Sequence, residues 1–175
     1  MLVILSGCSG GGKTTLIEEL ARRGYTIMPE PGLRIVREER ENGGSALPWI
    51  DPAAFARRAV EMARNDLPSA SSSGGPVFFD RGLIDAVAAL EFATGEDHAA
   101  AYPKPGVFCR TAFLVPPWPE HFHQSVERQH GMSEAVGEYE RLLKVYARLG
   151  FATEILPREP VERRADRILA MIGLA

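Results

Sequence analysis

A glycine-rich octapeptide near the start of the chain constrains the fold more than any other feature of the sequence. The pattern G-x-x-x-x-G-K-[ST] is matched at every fixed position by Gly7-Cys8-Ser9-Gly10-Gly11-Gly12-Lys13-Thr14. The apolar run 2–5 before it predicts a central strand buried on both faces, and an amphipathic helical pattern follows it. A strand, a glycine-rich loop and a helix in succession indicate one βα unit of a parallel sheet.

The residue types of this loop suit the binding of phosphate groups. Glycines let the backbone curl so that successive N–H groups point at phosphate oxygens, and the N-terminus of the following helix adds partial positive charge. Lys13 is expected to reach the β- and γ-phosphates of a nucleotide, and the Thr14 hydroxyl to bind Mg²⁺. The residues predicted to bind the nucleotide are Gly7, Gly10, Gly11, Gly12, Lys13, Thr14 and Thr15.

A carboxylate at the end of a second buried strand is the other part of the predicted magnesium site. The apolar run 77–79 ends at Asp80, and an alanine-rich helical pattern begins shortly afterwards. Asp80 is therefore also compatible with a role as helix N-cap, and the two roles can coexist. Because carboxylates suit Mg²⁺, we expect Thr14 and Asp80 to be its protein ligands.

The rest of the chain alternates strand-like and helix-like segments, which predicts a three-layer α/β/α domain with a five-stranded parallel sheet. Further strands are expected at residues 25–28, 111–115 and 151–156. Further helices are expected at residues 51–64, 83–92, 133–149 and from residue 160. The helix at 133–149 is expected to bury Val136, and the stretch 68–76, rich in Ser, Gly and Pro, predicts a surface loop.

Composition excludes several classes of protein. The 175 residues favour a single domain, 1–175, and 20 Lys+Arg against 23 Asp+Glu argue against a general nucleic-acid binder. Two cysteines, Cys8 and Cys109, provide no disulfide framework and fit a reducing cytoplasm. We expect no signal peptide, because the apolar opening 1–5 is too short and lacks a basic region, and no membrane span, because no apolar run reaches about 18 residues. Nothing in the pattern indicates an oligomeric state.

Three kinds of nucleotide enzyme fit a phosphate loop. A GTPase switch needs an Asn-Lys-x-Asp motif, which the sequence lacks. A mechanical ATPase usually needs more chain and extended or basic surfaces. We therefore expect an ATP-dependent kinase that transfers the γ-phosphoryl group to a hydroxyl of a small-molecule acceptor. A nucleoside monophosphate kinase and an ATP hydrolase or sensor remain the alternatives.

Several motifs resemble a known family. The phosphate loop, Asp80-Arg81-Gly82 and the segment 28–32 are similar to the thymidylate and deoxynucleoside kinase group. The whole pattern more closely resembles ATPase/kinase domains of the AAA-domain type, which include ribosylnicotinamide kinases. That resemblance rests on the segments 47–52, 116–118 and 149–151. It implies the sheet order 2-3-1-4-5, ATP with Mg²⁺ as cofactor, and adenine near residues 156–158.

The resemblance also implies roles for three residues. Glu30 matches a carboxylate near the acceptor hydroxyl, and Arg81 matches an arginine that holds phosphoryl or acceptor groups. Arg128 falls in a lid-like segment, about 118–133, over the transferring phosphoryl group. With Lys13 and Asp80, these are the predicted catalytic residues. Each also has a plainer interpretation: a turn residue for Glu30, a surface ion pair for Arg81 and an exposed helical arginine for Arg128.

Other candidates are weaker. Arg34 and Arg37 are better interpreted as solvated arginines than as ligands of an anionic acceptor. Trp49 suits either stacking on an acceptor ring or a place in the core. The lid-like segment holds a single arginine and the histidines at positions 121, 123 and 130, which lack the partners of a tetrahedral metal site. So sparse a lid keeps the hydrolase and sensor alternatives open.

Overall fold

Five parallel strands form one sheet in the order β2-β3-β1-β4-β5, as predicted. The computed structural model describes residues 1–8, 10–119 and 131–174. The strands are β1 (Leu2–Gly7), β2 (Thr26–Met28), β3 (Val77–Asp80), β4 (Thr111–Val115) and β5 (Ala152–Ile155). In the register of the sheet, Ile4 of β1 lies between Phe79 of β3 and Ala112 of β4. All six residues of β1 are buried, because this strand has a neighbour on each side and helices on both faces.

Helices cover both faces of the sheet. They are α1 (Lys13–Arg22), α2 (Pro31–Asn42), α3 (Pro52–Ser71), α4 (Leu83–Thr94), α5 (Met132–Arg148) and α6 (Val161–Met171). Alternate residues of β1 serve the two faces, since successive side chains of a strand point in opposite directions. Val3 and Leu5 join the core under α1 and α6, while Leu2 and Ile4 join the core under α4 and α5. Helices α2 and α3 pack on the outside of α4.

Three local predictions are corrected. Helix α3 continues beyond 64 through Pro68 to Ser71, so the predicted loop begins only after it. The carbonyl of Pro68 accepts hydrogen bonds from the backbone N–H (3.1 Å) and the hydroxyl (2.9 Å) of Ser72, which complete its last turn. In α5, Ala135 is fully buried and Val136 is exposed, because the buried face is formed by Ala135, Tyr139, Leu142 and Tyr146 and Val136 lies beside it. Helix α2 was not predicted as an element.

Both cysteines are free thiols. Burial, followed by the nearby carboxylate of Glu138, raises the pKa of Cys8 to about 11, so this thiol is protonated at neutral pH. Across the described ranges, no helix combines the length and apolar character needed to cross a membrane.

Candidate functional site

The phosphate loop lies at the carboxyl end of β1, against the end of β4. A Cβ atom on Gly7 would lie 2.2 Å from the carbonyl oxygen of Val115, and one on Gly11 would lie 2.5 Å from that of Pro116. The loop approaches β4 so closely that only glycine fits at these two positions. Gly12 is the N-cap residue of α1, with φ +68° and no side-chain cap. The first N–H groups of α1 are therefore available to an anion.

A cavity of about 580 Å³ opens in front of this loop. Its wall includes the predicted residues Gly10, Gly12, Lys13, Thr14 and Thr15. The segment after β5 forms another part of the wall through Arg158, Glu159 and Pro160, next to the place where adenine was expected. We call this space the loop cavity.

The ammonium group of Lys13 is buried between two carboxylates. Its Nζ contacts Asp80 directly and lies 3.6 Å from Oε2 of Glu30. Asp80 ends β3, the neighbour of β1, so the parallel sheet itself brings this carboxylate to the loop. Glu30 follows β2 and begins α2 as its N-cap residue. Asp80 and Glu30 lie 67 and 17 positions after Lys13 in the sequence. The fold thus brings three of the predicted catalytic residues together.

Arg81 lies beside this group in an uncommon backbone conformation. Its φ is +60°, the one positive value among the non-glycine residues that the structure describes. Its backbone N–H donates to the carbonyl of Leu5 (2.8 Å), which fixes the turn against β1. The guanidinium lies 2.5 Å from Glu138 through Nη1 and 3.5 Å from Glu30 through Nε. Burial by itself lowers the pKa of Arg81, but Glu138 and Glu30 outweigh it and raise that pKa well above its usual range.

A second cavity of about 530 Å³ meets the loop cavity at Arg81, which lines both. Glu30 lies on its wall, together with residues of α2, α3, α4 and α5. We call this space the side cavity. The two cavities therefore have a common border formed by the predicted catalytic arginine.

Asp85, Glu138 and Tyr146 also belong to the site, and sequence reasoning did not identify them as site residues. Asp85 accepts hydrogen bonds from the Ser6 hydroxyl and from Tyr146 Oη (2.8 Å), and it lines the side cavity. Burial raises the pKa of the Asp85 carboxyl above its usual range, and the guanidinium of Arg81 opposes the shift. Glu138 and Tyr146 both lie on α5, so this helix is bound to the centre of the site at two points.

Arg164 is a further residue that sequence reasoning missed. Its guanidinium is 4% exposed and donates to the carbonyls of Gly11 and Gly12, at 3.3 Å each. It also lies over the ring of Trp118, 5.1 Å from the centroid. Within the described part of the chain, no carboxylate pairs with it, and burial lowers the pKa of this arginine. A buried arginine on the wall of the loop cavity, without a carboxylate partner among the described residues, thus supports the phosphate loop.

The donor set fits Mg²⁺ that arrives with a nucleotide. Thr14 exposes its hydroxyl to the loop cavity, and Asp80 supplies a carboxylate close by. Among the described residues no cluster of three or more His, Cys, Asp or Glu side chains could form a metal cage. Mg²⁺ commonly takes one or two protein ligands and completes its shell with phosphates and water, so this pair is sufficient.

Other candidates from the sequence lie elsewhere. Arg128 and the three histidines fall outside the described residues. Arg34 pairs with Asp66 in a partly buried ion pair, so it is not a solvated arginine, and it lines neither cavity. Trp49 lies 5.5 Å from the guanidinium of Arg40 and is absent from the walls of both cavities.

Comparison with known proteins identifies the family. A family described as an AAA domain matches residues 2–164. The chain belongs to this family. The match includes every residue that lines the two cavities and ends at Arg164. No curated protein matches the chain.

Solved structures of kinases share the fold of this family member. Deoxyadenosine kinase from M. mycoides with bound dATP has a TM-score of 0.56 and 14% identity, with 99% of this chain and 100% of that chain covered. Shikimate kinase from Aquifex aeolicus has a TM-score of 0.57 and 18% identity, with 99% and 96% covered. Shikimate kinase from Acinetobacter baumannii in complex with shikimate has a TM-score of 0.57 and 18% identity, with 98% and 92% covered. The chain therefore has the α/β fold of P-loop kinases.

Proposed function

We propose that this protein is an ATP-dependent kinase that phosphorylates a hydroxyl group of a small molecule. One observation carries the proposal: Glu30 and Arg81 lie at the border of two cavities, beside the phosphate-loop lysine. The loop cavity would hold ATP and the side cavity the acceptor. The structural neighbours support this assignment, since proteins named deoxyadenosine kinase and shikimate kinase share the fold.

The residues suggest a direct transfer. Glu30 accepts the proton of the acceptor hydroxyl as its oxygen forms a bond to the γ-phosphorus. The bond from that phosphorus to the bridging oxygen of ATP breaks, and ADP leaves with the electron pair. Lys13 and Arg81 offset the negative charge spread over the phosphoryl oxygens, which is the main form of catalysis in such reactions. Bound Mg²⁺, held by Thr14 and Asp80, would add positive charge at the phosphates.

ATP is proposed as the donor rather than GTP. The sequence lacks the Asn-Lys-x-Asp motif that reads guanine, and the segment after β5 lines the loop cavity, as the resemblance implied for adenine. Thermal denaturation with each nucleotide tests this choice. We expect a larger stabilisation by ATP, abolished or strongly reduced in Lys13→Ala. Equal stabilisation by GTP, or intact ATP binding by the variant, would contradict the assignment.

The decisive assay measures ADP release with a panel of hydroxyl acceptors and with none. Release that requires one class of acceptor supports a kinase. Steady release without any acceptor, unchanged by the panel, would identify an ATP hydrolase and overturn the proposal.

Glu30→Gln tests the chemistry of the border directly. The substitution keeps the shape of the side chain and removes its ability to take a proton. We expect the transfer rate to fall by about 10²–10⁴-fold, while ATP affinity changes by less than about threefold. Glu41→Gln, an exposed position of the same helix, is the matched control and should leave both unchanged. Full transfer activity in Glu30→Gln would exclude the role as base.

A further inference from the structure

We infer that the side cavity takes a hydroxyl compound that carries no phosphate or carboxylate group. This inference rests on the proposed kinase function and names the class of acceptor. It separates a kinase of neutral or cationic acceptors from a nucleoside monophosphate kinase and from a kinase of hydroxy acids.

The charged residues of the side-cavity wall are mostly acidic. Two arginines face four carboxylates, which are Glu30, Asp85, Glu134 and Glu138. Even with Asp85 counted as neutral, because burial raises its pKa, the carboxylates outnumber the arginines. An anion that entered this cavity would meet repulsion without an equal attraction.

The arginine nearest to the reaction centre is already engaged. Arg81 has its guanidinium between Glu138 at 2.5 Å and Glu30 at 3.5 Å, so an anionic acceptor would have to displace a carboxylate to reach it. The second arginine, Arg141, lies over the ring of Phe92, 3.7 Å from its centroid. Phe92 is 65% exposed, so the contact between Arg141 and this ring lies on a solvent-accessible part of the wall, and Arg141 does not line the loop cavity.

Arginines on the neighbouring helices do not strengthen the anion-binding capacity of the wall. Arg34 of α2 pairs with Asp66, and Arg58 of α3 pairs with Glu38 and Glu39. Neither is part of the wall that the described residues form. Sites for phosphate or carboxylate groups usually offer at least one arginine free for bidentate binding.

The uncharged part of the wall is apolar and includes two aromatic rings. Phe55 of α3 and Phe92 of α4 are joined by aliphatic residues, among them Leu33, Val36 and Ala88. A cavity of about 530 Å³ is in the range of pockets for small molecules. Such a wall favours a flat apolar body, with the hydroxyl group directed toward Glu30.

The expected selectivity follows from the charge balance. Like charges a few ångströms apart repel each other, and the repulsion is stronger at a partly buried wall than in water. A single unbalanced carboxylate therefore disfavours an anionic acceptor by about tenfold or more in kcat/KM.

The test compares acceptors in pairs that differ only in the anionic group. Suitable pairs are 3′-O-methylthymidine with thymidine 3′-monophosphate, which have the same free 5′-hydroxyl, and the methyl ester of shikimate with shikimate, each at saturating ATP. We expect kcat/KM to be at least about tenfold higher for the uncharged member of each active pair. Equal or better use of the anionic member would overturn the inference and leave the kinase function standing. Acceptor-independent ADP release would instead overturn the kinase function.

Binding measurements test the preference for uncharged acceptors even if no acceptor is phosphorylated. The same pairs can be titrated calorimetrically against protein saturated with a non-hydrolysable ATP analogue. Tighter binding of the uncharged member supports the inference, and tighter binding of the anionic member, or no binding of any uncharged member, contradicts it.

Two substitutions of opposite charge make the test specific. Glu138→Gln removes a carboxylate and should lower the ratio of kcat/KM for the uncharged member to kcat/KM for the anionic member by about tenfold. Arg141→Gln removes an arginine and should raise this ratio. Glu140→Gln, exposed on the same helix, is the matched control and should leave the ratio unchanged. If both substitutions changed the ratio in the same direction, electrostatic selection by the wall would be refuted. The ratio is independent of the amount of active protein, so partial loss of folded protein does not obscure the result.

Discussion

Arg81 combines a role in the site with a strained backbone conformation. Arg81 has a left-handed backbone, which costs a non-glycine residue about 1 kcal/mol or more. The hydrogen bond from its N–H to Leu5 and the ion pair of its guanidinium with Glu138 hold it there. The backbone of Arg81 thus places the side chain at the border of both cavities, where a helical conformation would direct it elsewhere.

Arg164→Met should weaken nucleotide binding without weakening the fold. The substitution removes the donors to the carbonyls of Gly11 and Gly12 and a positive charge beside the loop. We expect ATP affinity to fall by about tenfold. The free energy of unfolding should stay the same or rise, because the substitution replaces by an apolar side chain a buried charge that has no carboxylate partner in the described ranges. Calorimetric titration and urea denaturation measure the two effects.

The control for Arg164→Met is Arg163→Met, at the exposed neighbouring position, which should change neither quantity. A large loss of stability with unchanged affinity per folded molecule would show that Arg164 is only a packing residue.

Glu19 makes the stability of the fold depend on pH. Hydrogen bonds from Arg22 and Arg23 lower the pKa of Glu19 from 4.5 to about 2. Because the folded pKa is the lower one, the stabilisation is complete above about pH 4.5 and is lost as the pH falls toward 2. The stability difference between the wild type and Glu19→Gln should therefore shrink over this range in urea denaturation. Glu18→Gln, exposed one position earlier, should show no such change, and a pH-independent difference for Glu19→Gln would contradict the assignment.

At the scale of elements, the end of α3 was mispredicted because the Ser, Gly and Pro content of residues 68–76 indicated a loop. Pro68 lies inside the helix on its exposed side, so its ring and missing N–H disturb the last turns without exposing the core. Pro68→Ala should raise the free energy of unfolding by about 1 kcal/mol and the melting temperature by about 2–4 °C. Pro52→Ala, at the first helical position, is the control and should give no gain, since proline suits that position. A destabilised Pro68→Ala variant would show that the proline is favourable where it lies.

At the scale of the whole molecule, the sequence predicted the features that depend on local patterns and not the long-range contacts of single side chains. The parallel sheet and the meeting of Lys13 with Asp80 follow from a short motif and from the geometry of parallel strands, whereas the strand order was implied by the resemblance to the kinase family. Glu138 and Tyr146 were not predictable, because their partners lie 57 and 61 positions away and no local pattern marks such contacts. Arg164 had a detectable signal: it shares the buried face of α6 with Ile168, four positions later.

The common border of the two cavities has a kinetic and a stereochemical consequence for such a kinase. Donor and acceptor meet at Arg81, so both must be bound before the phosphoryl group can move, and double-reciprocal plots for the two substrates intersect. Cys8, the one thiol on the wall of the loop cavity, is protonated, so it is a poor nucleophile for forming a covalent intermediate with the phosphoryl group. For the proposed kinase we therefore expect a single displacement, in which the configuration at the γ-phosphorus is inverted.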